Sequence, residues 1–73
     1  MTTRQEHIQW CKERALPYLE DGDVGLAISS MIQDLSLHPE TKDSPALPLF
    51  TRNAMIAAVE DNAKKVRELI EDW

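Results

Sequence analysis

The chain has no second cysteine, no surplus of basic charge and no long apolar run, and each absence removes a class of protein. With Cys11 as its single cysteine, an internal disulfide is ruled out. Eight Lys and Arg stand against thirteen Asp and Glu, a net charge of −5, which opposes non-specific attraction to DNA, RNA and anionic lipid. The favoured partner is a basic or neutral protein surface rather than nucleic acid or membrane. The longest uninterrupted apolar run, Ala54 to Val59, is six residues, against the roughly 20 needed to span a bilayer. Met-Thr-Thr-Arg-Gln-Glu-His at the start has no apolar stretch behind its charges to act as a secretory signal. These features lead us to expect a cytoplasmic protein with Cys11 reduced.

Seventy-three residues make one domain, and a domain this small buries only about 60% of its unfolded surface. Without a disulfide or a metal staple, packing or self-association must supply what a small core lacks. A homo-oligomer is therefore expected.

Along the chain the apolar residues recur at helical spacing. Thr3 and Glu6 have capping-box spacing, which predicts a helix from Arg4 to about Leu19 with Ile8, Cys11, Ala15, Tyr18 and Leu19 inward. Pro17 removes one main-chain hydrogen bond and predicts a kink or an early end. In the acidic turn Glu20-Asp21-Gly22-Asp23, Gly22 can take positive φ and Asp23 can cap the next helix. That second helix is expected from Val24 to about Leu37, inward at Val24, Ala27, Ile28, Met31, Ile32 and Leu35, and ended by Pro39. Thr41 to Leu47 has no apolar period and reads as a loop. A third helix starts near Pro48, a residue suited to a first helical turn. It is apolar on both sides, with Phe50, Ala54, Ala57 and Ala58 opposite Met55, Ile56 and Val59, so it needs cover all round or a subunit contact. Glu60-Asp61-Asn62 repeats the acidic turn, with Asn62 able to cap or to adopt αL, and a last helix runs from Ala63 to Trp73, inward at Ala63, Val66, Leu69, Ile70 and Trp73.

The expected fold is all-α. A single domain, 1–73, holds four helices as two helical hairpins, 4–38 and 48–73, joined by a loop over 39–47 and packed around the central apolar helix. The hairpins share a plan at an offset of about 39 residues, the mark of an internal repeat. In the first, Ala15, Tyr18, Gly22, Ala27, Met31 and Pro39 carry the spacing of a tetratricopeptide repeat, which that hairpin resembles, although Cys11 and Asp34 stand where the motif has an aromatic and a small residue.

A second resemblance covers most of the chain. Arg4-Gln5-Glu6-His7, Trp10-Cys11-Lys12, Arg14-Ala15-Leu16, Tyr18-Leu19, Gly22-Asp23, Ala27, Asp34-Leu35 and His38-Pro39-Glu40-Thr41, continuing through Met55-Ile56-Ala57-Ala58 and Val66-Arg67, resemble a group of small proteins encoded by tailed bacteriophages. That resemblance implies a phage origin, an accessory role and a place in the cytosol of the bacterial host. It implies no activity, no cofactor and no assigned site residues.

Three constellations carry the functional expectations. His7 and Cys11 stand four apart on one helix, and His38 could add a third metal ligand, but structural zinc takes four. The plainer reading makes Cys11 a small core residue and His7 a solvated residue at the helix start. No assembled acid, base or nucleophile marks an enzyme. The acidic turns, Glu20, Asp21 and Asp23 with Glu60 and Asp61, would gather at one edge if the hairpins pack in the same sense, and such an edge could block a host nucleic-acid-binding protein. Acids also favour helix N-termini, at about 0.3–1 kcal/mol each, which explains the same residues without a partner. Off-stripe apolar residues are the candidate contact surface: Trp10, about 160° from Ile8 around its helix, with Leu26 and Leu37 on the polar side of the second, and Met55, Ile56 and Val59 on the outer side of the third. Protein–protein binding is the leading function, with a minor virion or assembly component compatible with the same surface.

Overall fold

A computed structural model describes residues 3–73, which are helical and joined by short turns, with no strand among them. The described residues form five helices: α1 (Arg4–Glu20), α2 (Val24–Leu35), α3 (Pro39–Lys42), α4 (Ala46–Val59) and α5 (Ala63–Glu71).

At the start of α1, the Glu6 N–H donates to Thr3 Oγ1 at 3.1 Å and the Thr3 N–H donates to Glu6 Oε1 at 3.2 Å, a complete capping box. Pro17 does not end this helix, which runs on to Glu20. The carbonyl deprived of its partner by Pro17 is that of Glu13, four residues earlier. Both residues are exposed, so water can take the missing donor's place.

The turn after α1 and the turn after α4 have one geometry, 39 positions apart. Gly22 and Asp61 have positive φ, 80° and 54°. Asp23 N–H donates to the Tyr18 carbonyl and Asn62 N–H to the Ala57 carbonyl, both at 2.8 Å. Gly22 N–H donates to Leu19 and Asp61 N–H to Ala58, both at 3.0 Å. These paired bonds define a Schellman ending. The residue that closes each one then caps the following helix: Asp23 accepts the Leu26 N–H at 3.1 Å and Asn62 the Lys65 N–H at 3.1 Å.

Residues 36 to 47 depart from expectation. α2 stops at Leu35 rather than Leu37, because Pro39 holds the residue before it extended, with His38 at φ −108° and ψ 128°. Pro39 then opens α3 instead of leading into a loop. His38 Nδ1 accepts the Glu40 N–H at 3.2 Å, and the fully buried Thr41 donates its hydroxyl to the Leu35 carbonyl. One turn of helix thereby closes the open end of α2. α4 begins at Ala46, with Ser44 Oγ accepting the Ala46 N–H at 3.2 Å. Pro48 sits in its first turn, where an N–H would have no helical partner in any case.

The centre of the core is α2 rather than the 48–59 helix. α2 packs against α1, α4 and α5 and supplies Ala27, Met31 and Leu35, all fully buried. α4 buries Phe50, Ala54 and Ala57 against α2 and α5 and leaves its other side uncovered. Five residues expected inward also differ. Tyr18 and Ala63 are exposed, and Ile32, Leu69 and Trp73 are only partly buried, the first four standing at the margins of their stripes. α5 ends at Glu71, and Trp73 beyond it packs edge-on against Phe50, ring centroids 6.0 Å apart.

Candidate functional site

Where α1, α2 and α3 meet, a row of planar side chains covers a buried polar group. Asp34 lies on the apolar stripe of α2, between Met31 and Leu35, and is 5% exposed. Its carboxylate accepts from Arg14 Nε at 2.9 Å. The Arg14 guanidinium carbon stands 4.6 Å over the Trp10 ring. Trp10 stacks on His7 with centroids 5.6 Å apart and planes at 25°, and His7 in turn lies 5.0 Å from the His38 ring.

His7 is buried, not solvated. Its Nε2 lies 2.7 Å from the Asp34 carbonyl oxygen, and a carbonyl only accepts, so this nitrogen carries a hydrogen and donates. Cys11 Sγ stands 3.6 Å from that same nitrogen and therefore cannot pass its proton to it. Burial, with a smaller contribution from the nearby Asp34 carboxylate, pushes the Cys11 thiol up to about 11. A protonated thiol with no base beside it is not an activated nucleophile. Among the described residues, no three His, Cys, Asp and Glu side chains group to hold a metal ion.

The acidic-turn residues, Glu20, Asp21, Asp23, Glu60 and Asp61, are all exposed. Arg4 lines one depression together with Ala46, Asp72 and Trp73. The start of α1, the start of α4 and the end of α5 therefore share one end of the molecule, and both acidic turns lie toward the other. Asp23 is committed to capping α2, a local role that needs no partner.

The six apolar residues singled out from the sequence are all exposed: Trp10, Leu26, Leu37, Met55, Ile56 and Val59. They fall into two groups. Trp10 and Leu37, with His7 and Glu6, line a depression of about 410 Å³. Leu26 lines another with Arg14 and Tyr18, so this first group follows the α1–α2 side. Met55, Ile56 and Val59 lie on α4, and Ile56 lines a separate depression with Asn53, Ala57, Glu60, Lys65 and Leu69.

Sequence reasoning passed over Leu49, which is 60% exposed and lies on the outer side of α4. The signal was its spacing of seven from Ile56, two turns along one face. His7 and Asp34 carried a signal too, since each is a polar residue at a position that continues an apolar stripe.

The fold and this surface define an all-helical chain with a small buried polar junction and two exposed apolar regions. No helix of the described residues is long and apolar enough to cross a membrane. No protein-family model, curated protein or solved structure matches the chain.

Proposed function

We propose that this is a non-enzymatic accessory protein of a tailed bacteriophage that acts in the host cytoplasm by protein–protein binding and self-association, with two helical hairpins, α1–α2 and α4–α5, as its building units. One observation carries the binding reading. Leu49, Met55, Ile56 and Val59 are each at least half exposed and occupy one side of α4, with Arg52 as the charge among them. Removing such side chains from water contributes about 25 cal/mol per Å², and a contiguous apolar face of this kind marks an interaction site. The protonated Cys11 thiol and the donating His7 ring argue against catalysis at the α1–α2–α3 junction. The phage assignment rests on the sequence resemblance described above.

The test compares the wild type with a Met55→Asp/Val59→Asp variant whose helical content is unchanged by circular dichroism. Solution mass and capture of proteins from bacterial lysate are measured for both. The wild type is expected to associate, with itself or with a captured protein, and the variant to lose that association. A wild type that associates with nothing, or a variant that keeps every association, contradicts the proposal.

A further inference from the structure

The outer face of α4 is self-complementary about Ile56. At about 100° and 1.5 Å per residue, Arg52 and Glu60 lie roughly 40° to either side of Ile56 and about 6 Å before and after it along the axis. Both are exposed, and neither enters an ion pair among the described residues. Two α4 helices packed antiparallel across a two-fold axis at Ile56 bring each residue opposite the one equally far beyond position 56 in the other copy. Arg52 then meets Glu60 twice, once on each side of the axis, and Ile56 meets Ile56. Val59, the most exposed large apolar residue among the described residues at 88%, stands about 60° from Ile56 on the same flank as Met55 and Arg52, so in this arrangement it comes beside those two side chains of the other copy.

From this charge complementarity we infer that the occupant of the α4 face is a second copy of this chain, held antiparallel with its two-fold axis at Ile56 and reciprocal Arg52–Glu60 ion pairs. The inference rests on the protein-binding reading and names its partner. A register shifted to centre on Arg52 would set two guanidinium groups together, which disfavours it. A two-fold contact uses the same patch on both copies and closes on itself, so it stops at a dimer. The apolar side chains supply affinity, and the charges select register. One face of a 14-residue helix is a small patch beside the about 800 Å² per partner of a standard interface. The dimer therefore dissociates on dilution.

The test is sedimentation velocity over a concentration series on the wild type, Arg52→Glu, Glu60→Arg and the double Arg52→Glu/Glu60→Arg, with helicity checked by circular dichroism. Arg52 and Glu60 are eight positions apart on one helix, too far to touch within a chain, so rescue in the double can arise only between copies. The wild type is expected to dimerise, each single variant to weaken the dimer by about tenfold or more through like charges, and the double to recover it. Ile56→Cys is expected to give a disulfide-linked dimer on mild oxidation, because the new thiols meet at the axis while Cys11 is fully buried. A wild type monomeric at every concentration overturns the inference, and lysate capture then decides the binding reading separately. Dimers indifferent to both charge reversals, or a double as weak as the singles, overturn it while leaving self-association standing.

Discussion

His7 Nε2 meets the Asp34 carbonyl oxygen at 2.7 Å across 27 positions of sequence, joining the first turns of α1 to the last turn of α2. Both residues are buried, so the bond cannot be exchanged for one to water without opening the junction. His7→Phe keeps a flat ring beside Trp10 and His38 but removes the donor. The expected cost is about 1–3 kcal/mol, read as a lower urea midpoint with an unchanged denaturant slope.

Arg14 and Asp34 form an asymmetric ion pair, the arginine side chain 55% exposed and the aspartate 7%. Water screens the guanidinium, so the pair itself contributes little. Losing it nonetheless leaves a buried carboxylate without its cation. Arg14→Ala is expected to cost about 1–3 kcal/mol, and Arg14→Ala/Asp34→Asn less than the two single costs added. Urea denaturation of all four proteins in a double-mutant cycle measures that coupling.

The matching turns are filled by residues of different fitness. Gly22 takes φ 80° without a Cβ penalty, whereas Asp61 takes φ 54° with one. Asp61→Gly is expected to stabilise the protein by about 0.5–1 kcal/mol, and Gly22→Ala to destabilise it by about 1 kcal/mol. The space around Gly22 is open, so the loss at that site reports backbone conformation rather than a clash. Thermal unfolding of both variants reads the opposite signs.

Folding raises Cys11 from an ordinary value of 9.0 to about 11, which ties stability to alkaline pH. Because the folded state holds this proton more tightly, the contribution is complete below pH 9.0 and is lost as pH rises toward 11. The loss is on the order of 2–3 kcal/mol. Cys11→Ala has no thiol to titrate, so its stability is expected to fall less steeply between pH 9 and 11 than that of the wild type. Urea midpoints across that range make the comparison.

The stripes of α1, α2 and α5 and the Schellman turn at Gly22 are legible because they depend on local spacing: Thr3 with Glu6, Ala27 with Met31, Gly22 with Asp23. At the second turn Asn62 caps as expected, but the αL position offered to it falls to Asp61. α3 is not legible, because Pro39 suits both the end of one helix and the start of the next. Only the fold brings Thr41 to the Leu35 carbonyl. The apolar run at 54–59 asks for cover all round or a subunit contact. The structure gives it cover on the Phe50, Ala54 and Ala57 side alone, since α2 takes the central place. The exposed residues on α4 and around Trp10 could be named in advance because they fall off the stripes. In the stack of Arg14, Trp10, His7 and His38, the first three stand at helical spacing on α1, and only the fold brings His38, in the turn before α3, against His7.

The most direct measurement of the central claim, that this protein works by association through exposed apolar surface, is its solution molar mass by light scattering over a wide concentration series. A mass that rises from that of one 8.3 kDa chain toward twice that value, and falls back on dilution, is the predicted result. A mass that stays at one chain throughout, with no protein retained from lysate, would contradict it.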